Sequence, residues 1–433
     1  MGDRSVPATE PVEAMQEAAT PRAQAPPPSS FWQRTFAALQ HRNYRLWFQG
    51  QLVSMVGTWM QVTAQGFLVF QLTHSTAYLG YVGFAAGVPS LLFMLFGGVI
   101  ADRIARRKLL LITQSTMMLL AFLLAGLSFA QLVQPWQIVL LALALGTANA
   151  FDAPAAQAFV LELVARQDLT NAIALNATLF NLATVVGPTV AGLTYAAVGP
   201  AWCFTLNGLS FLAMIVALLR MRLPAHTATP RTQSALAQLQ EGVRYTLAQP
   251  LLRTLIAVPA VAALFGTAYA TLLPAWAVEV LGGDAATNGL LQSARGAGSL
   301  LGALMIAAVG YAGHRGRWLT IGTFVYPLVL LVFAAVRTVP LSVVVLVGVG
   351  WGGMLVFNMA NTLVQSHVSD ELRGRVMSIY SLTFFGGMPL GALWSGALGN
   401  SIGAPLAIVV GALIVLGCAI LLWILMPQVR RLM

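Results

Sequence analysis

Apolar residues run almost unbroken through twelve stretches of the chain, near 46–72, 78–101, 109–131, 136–159, 172–198 and 202–222, then 251–280, 287–311, 319–336, 341–365, 376–399 and 405–427. Each approaches or exceeds the roughly 20 residues that a helix needs to cross a hydrocarbon layer. Short polar breaks separate them, and one break, 223–250, is longer. There Leu236, Leu239, Val243 and Leu247 recur at helical spacing among Arg and Glu, which predicts a helix lying on the membrane surface. Residues 31–45 mix aromatics with Arg and read as an interfacial helix, whereas 1–30, rich in Ala, Pro and Glu, read as a disordered tail and not a signal peptide. The predicted fold is all-α and integral to the membrane. Twelve transmembrane helices form two six-helix bundles, 46–222 and 251–427, joined by the 223–250 linker and closed by a short tail, 428–433.

Polar positions inside the spans are periodic. In span one Gln51, Ser54, Thr58, Gln61 and Gln65 recur at intervals of three and four, with Trp59 beside them. Unpaired amides in hydrocarbon are costly, so water or protein must face this stripe. Span ten repeats the pattern with Trp351, Met354, Asn358, Asn361 and Gln365. Span seven offers Phe265, Tyr269, Leu272, Trp276 and Glu279, and span eight Asn288, Gln292, Arg295, Ser299 and Gly302. The stripes are expected to line a substrate cavity, the alternative being polar glue between helices.

Composition agrees. Of 433 residues 58% are hydrophobic and 8% charged, a third of the charged fraction of an ordinary soluble domain, about 25%. A soluble globule, a disordered chain and a disulfide scaffold are excluded. The net charge of +10 comes from basic residues that, apart from Arg295 and Arg337, fall in alternate breaks and the termini. Such breaks stay cytoplasmic, so both termini are expected inside a plasma membrane, and the charge reflects topology and anionic lipid rather than nucleic acid. Cys203 and Cys418 have no partner spacing and read as small hydrophobes. No phosphate-binding loop, metal-ligand cluster or catalytic constellation is present, so neither a cofactor nor a metal is expected and an enzyme is not.

The halves repeat. Asp168-Leu169-Thr170-Asn171, Gly187-Pro188, Gly192 and Gly199-Pro200 correspond to Glu371-Leu372-Arg373-Gly374, Gly391, Gly396 and Gly403-Ala404-Pro405, at an offset of 203 to 204 residues. Gly187, Pro188, Gly192, Gly391 and Gly396 are expected to pack helices closely. Between spans two and three stands Gly98-Val-Ile-Ala-Asp102-Arg103-Ile-Ala-Arg106-Arg107-Lys108, which resembles the signature loop of the major facilitator superfamily, with Ala105 in place of the usual glycine. The resemblance implies a cytoplasmic gate built on Gly98, Asp102, Arg103, Arg106 and Arg107. A second set, Phe151-Asp152-Ala-Pro154 through Gln157, Glu162-Leu163-Val164, Asn43-Tyr44-Arg45, Glu241-Gly242-Val243-Arg244-Tyr245 and Arg373-Gly374-Arg375-Val376-Met377, resembles the enterobactin-exporter branch of the drug:proton antiporters. It implies export of an amphipathic small molecule, a siderophore, drug or similar metabolite, by alternating access with protons as coupling ion, in a chain expected to act as a monomer. Ala142, Ala156 and Thr184 stand where such relatives often carry arginine. An importer of the same fold, or a non-transporting sensor or scaffold, are the alternatives.

Charges inside spans are functional candidates. Asp152 reads either as a proton carrier or as a structural acid of the gate paired with Arg103 or Arg106, the latter preferred. Arg295, roughly 13 Å into its helix at 1.5 Å per residue, reads as an anion-attracting cavity residue or as a partner of Glu279 closing the outer side. Glu279 is itself a second coupling candidate.

Overall fold

The computed structural model describes residues 36–222, 235–309 and 314–431 together with Gly2; the side chains of 94–103, 235–239, 309 and 431 lie outside the described residues. Twelve described helices are long and apolar enough to cross a membrane. In chain order the spans are Arg42–Thr73, Thr76–Arg103, Arg106–Phe129, Pro135–Leu163, Leu169–Val198 and Pro200–Arg220. After a surface helix, Ala235–Ala248, come a composite span seven over 250–280, then Ala285–Val309, Arg315–Ala335, Val339–His367, Asp370–Ile402 and Ala404–Leu425. The interfacial helix expected over 31–45 is shorter than the sequence pattern implied. A single 3-10 turn, Ala37–Gln40, precedes span one, whose helix already begins at Arg42. His41 breaks the run with an extended backbone and fixes the corner through Asp168 Oδ2, 2.8 Å from its Nε2.

Helix ends follow local chemistry. Pro135, Pro200 and Pro250 stand at first helical positions, where the missing N–H costs nothing. The corners after spans five and eleven turn on Gly199 (φ 87°) and Gly403 (φ 86°), a region closed to most side chains. These are the equivalent glycines of the sequence repeat.

The repeat recurs in the packing. Span two packs on span four and span eight on span ten; spans one and five, and seven and eleven, pair likewise. Spans three and six, and nine and twelve, complete each bundle. The bundles meet along two seams, span two with span eleven and span five with span eight, which exchange places under the same two-fold relation. Span seven departs from a regular helix. Two π segments, Ala262–Gly266 and Trp276–Val280, flank the short helix Tyr269–Ala275. Pro259 and Pro274 each remove a backbone donor, and the chain absorbs the loss by widening its turn.

The seams are close because both sides are bare. A Cβ on Gly396 would lie 2.6 Å from Gly80 Cα and 2.7 Å from Thr76 O; one on Gly192 would lie 2.8 Å from Ala285 O and 3.1 Å from Gly289 Cα. Thr76 Oγ1 donates to Gly396 O at 2.9 Å, and Ser293 Oγ to Val185 O at 2.7 Å. Gly187 and Gly391 serve inside the bundles: a Cβ there would meet Trp59 Cβ or Leu264 O at 2.5 Å. The glycine contacts of the seams run from the end away from the basic breaks, at Gly80 with Gly396 and Gly192 with Gly289, to mid-span, at Gly386 with Leu91 and Gly296 with Thr184. At the basic end the surface helix rests on spans two and eleven, with Glu241 paired to Arg375.

Candidate functional site

Helical geometry, about 100° per residue, divides span one into faces. Gly50 and Gly57 lie against span six, where a Cβ on Gly57 would meet Asn207 Oδ1 at 2.6 Å. Gln61 projects beside them: its Oε1 accepts from Asn207 Nδ2 at 2.6 Å and its Nε2 donates to Gln65 Oε1 at 3.4 Å. Ser210 Oγ donates to Asn207 O at 2.7 Å, and Thr58 Oγ1 back to Ser54 O at 2.9 Å. Ser54 and Gln61 are 4% and 3% exposed. The expected cavity lining is therefore corrected for these two. A neighbouring amide satisfies Gln61 more cheaply than water drawn into the bilayer, and Ser54 is packed away on the same side of the helix. Gln51 is buried too, with its Oε1 unpartnered.

Trp59 faces away from span six. It meets Phe180 of span five edge-on at 5.9 Å between centroids, and the guanidinium of Arg295 lies over its ring at 6.0 Å. Gly66, near Trp59's side of the helix, looks at Pro274 of span seven. The face of span one that meets the other bundle is thus aromatic and apolar, not the amide stripe.

Arg295 is the convergence point. It sits midway along span eight and is half-buried. Tyr269 of span seven and Tyr326 of span nine lie beside it. Its Nε is buried without a partner. No described carboxylate forms an ion pair with it. Glu279 is exposed on the terminal π turn of span seven, so the expected Glu279–Arg295 closure does not form: their helices place them at different depths. Trp276 is likewise corrected. It is fully buried inside the second bundle, stacked on Phe333 at 4.5 Å and 28°, with Arg337 over its other surroundings at 5.5 Å. A guanidinium held by aromatic faces, with a donor to spare and no acid beside it, attracts an anion and stacks a planar group.

Span ten comes close to span eight because Gly302 leaves room: a Cβ there would sit 2.9 Å from Met354 Cβ and 3.2 Å from Trp351 O. Farther along, Asn358 and Asn361 are half-buried, and Gln365 Nε2 donates to Asn361 Oδ1 at 2.5 Å.

At the basic end Gly98, Asp102 and Arg103 occupy the last turns of span two's helix, and their side chains lie outside the described residues. Arg106 pairs with Glu162 Oε1 at 2.6 Å, and Arg107 donates to Leu219 O at 3.0 Å. Asp152 does not pair with Arg106. It is 7% exposed, with Oδ1 2.5 Å from Thr113 Oγ1 and 3.1 Å from Gln114 Nε2. The acid nearer to Arg106, Glu162, takes that cation first. Sequence reasoning missed Thr113, Gln114, Tyr326 and Asn207. Thr113-Gln114, a polar pair inside an apolar run, and Asn207 with Ser210 one turn on were the available signals.

The chain matches the family model described as transmembrane secretion effector over residues 33–432. The enterobactin exporter of Shigella flexneri is 26% identical over 368 residues, covering 83% of this chain and 85% of that protein. The staphyloferrin A transporter of Staphylococcus aureus is 23% identical over 354 residues, 81% of this chain and 87% of its own length. Among solved structures the nucleoside transporter NupG superposes with a TM-score of 0.72 at 14% identity, over 88% of this chain and 98% of its own. A POT family transporter in complex with a thioalcohol-conjugated peptide gives 0.72 at 12% identity, over 90% and 96%. At those identities the solved structures speak for the fold alone.

Proposed function

Since the chain belongs to the transmembrane secretion effector family of the major facilitator superfamily, we propose that it is a proton-driven secondary exporter of an amphipathic, partly anionic aromatic small molecule of the siderophore kind. The observation that carries this reading is Arg295 at the meeting of the bundles, unpaired with any described acid and set among Trp59, Tyr269 and Tyr326. The guanidinium supplies charge and directed donors to a carboxylate or catecholate, while the half-buried Trp59 stacks on its aromatic part. Tyr269 and Tyr326, buried in the second bundle, back the guanidinium and do not touch cargo, which corrects the cavity expectation for Tyr269. Residues from spans one, seven, eight and nine surround one locus, so a ligand there touches both bundles and biases their relative arrangement.

Charge and packing support the proposed direction. The basic end faces the cytoplasm and both termini with it, by the retention of Lys- and Arg-rich breaks inside. The glycine seams then close the outer half, which favours loading from the cytoplasm, the side from which an exporter takes its cargo. A substrate exchange requires the seams to part while the basic end closes, the rocking of two bundles around a fixed midplane site. The relatives named as an enterobactin exporter and a staphyloferrin A transporter support a siderophore-like cargo.

Cells expressing the chain and preloaded with a labelled catecholate or aromatic carboxylate test the reading. Efflux above that of control cells, lost on collapse of the proton gradient, is expected. Efflux equal to control contradicts export, and efflux unchanged by an uncoupler contradicts the proton drive.

A further inference from the structure

Asp152 is a buried acid to which the substrate site gives no task. Its helix, span four, packs mainly on spans two and three and more lightly on spans one and five. The charged residues of span one, Arg42 and Arg45, stand at its basic start, and the helix of span five carries none. Span three supplies Thr113 and Gln114; Arg106, seven residues before Thr113, is turned to Glu162 Oε1 at 2.6 Å and Ala158 O at 3.2 Å. Span two carries Asp102 and Arg103 at its basic end. No described cation lies within ion-pair distance of the Asp152 carboxyl.

The hydrogen count around it is one short. Thr113 has a single hydroxyl hydrogen and two acceptors in reach, Asp152 Oδ1 at 2.5 Å and Leu110 O at 3.1 Å. With Asp152 ionised, the hydroxyl donates to the carboxylate, and Gln114 Nε2 donates to both of its oxygens, at 3.1 and 3.3 Å. With Asp152 protonated, its O–H donates to Thr113 Oγ1, and the hydroxyl turns to Leu110 O. Gln114 Oε1 is buried without a partner, and rotation of that amide offers a second acceptor to the same proton. Both forms are satisfied by turning one hydroxyl and one amide, with no backbone displacement. A carboxylate kept only to tie helices together would be held by a fixed cation, because an unpaired buried charge is costly.

We propose that Asp152, Thr113 and Gln114 form the proton-binding site of the transport cycle, Asp152 taking up and releasing one proton at its carboxyl oxygen while the two neighbours switch between donating to it and accepting from it. This rests on the transporter reading above and adds to it the place where the coupling ion sits, in the first bundle and apart from Arg295.

Infrared titration of the full chain in lipid vesicles, without any cargo, reads the carboxyl directly. A carboxylic C=O band that appears on acidification, is lost in Asp152→Asn and is retained in Arg295→Ala is expected; a titration identical in the wild type and Asp152→Asn overturns the proposal. A second arm uses labelled catecholate. Asp152→Asn, which mimics the neutral form and keeps the hydrogen-bond pattern, should retain exchange of cargo across the vesicle wall but lose accumulation driven by a pH gradient, and Asp152→Glu should restore it. Loss of exchange together with accumulation, or undiminished accumulation, overturns it. If the wild type moves no catecholate while the infrared band behaves as expected, the transporter reading fails and the proton site stands.

Discussion

At the scale of single residues the chain separates polar groups that hold helices from those proposed to face cargo. Gln61 and Asn207 belong to the first kind, with amides 2.6 Å apart and both buried. Interhelical hydrogen bonds in membranes contribute about 0.6 to 2 kcal/mol. Asn207→Ala is therefore expected to lower the thermal unfolding midpoint in detergent by a few degrees, by about that energy, and to leave cargo affinity unchanged. A midpoint equal to the wild type with a lost affinity would return the amide stripe to the cavity. Trp276, enclosed by Phe333 and Arg337, belongs with the holding groups as well. Trp276→Phe should cost stability, measured by the same melt, without altering which cargo is carried. The period of three and four in span one was plain in the sequence. What it faced was not, because a 3.6-residue repeat gives a face and not the neighbour that covers it. Asn207 supplied the missing half of the pairing from another helix.

At the scale of elements, helix existence was the most legible feature, since twelve apolar runs became twelve long helices with ends displaced by a few residues. The π turns of span seven were not legible. Pro259 and Pro274 announce a lost donor, but whether a helix kinks, breaks or widens depends on the neighbours that fill the space. The surface helix was legible in its period, and its docking was fixed by a charge pair, Glu241 with Arg375, that no local pattern contains. Exchanging these charges tests the strap. Glu241→Arg or Arg375→Glu alone should free the helix, read as faster amide hydrogen exchange over 240–248, and the double exchange should restore protection. Equal exchange in all four proteins contradicts the contact. The seams give a further test. Gly396→Leu pushes a side chain against Gly80 and Thr76, so the outer half cannot close. A cysteine at Asn400, near Ser75 Oγ at 2.8 Å from the Asn400 side chain, should then label faster from the non-basic side; an unchanged rate would mean that the seam tolerates the bulk.

At the scale of the molecule, two bundles repeat one packing scheme and meet on glycines, while the chemistry is unequal between them. Gly192 and Gly396, visible as a repeat in the sequence, became equivalent contacts across the two seams. Gly350, the repeat of Gly146, lies against the Arg295 backbone, whereas Gly146 meets Ala86, so the position of Arg295 holds an alanine in the other half. The buried acid, Asp152, lies in the first bundle and Arg295, the cation proposed to meet cargo, in the second. That division was only half legible: the two charges stood out as rare, but their partners came from distant spans. In the proposed scheme it also separates proton from cargo in space, so coupling would pass through the relative movement of the bundles. The most direct test is accumulation of paired cargoes, an aromatic carboxylate and its neutral amide, in inside-out vesicles under an imposed proton gradient. The account predicts that the wild type concentrates the carboxylate above empty vesicles and that Arg295→Ala reduces its accumulation at least tenfold relative to the amide, about 1.4 kcal/mol of lost discrimination. Carboxylate accumulation equal to that of empty vesicles, or an Arg295→Ala protein that handles both cargoes as the wild type does, would contradict it.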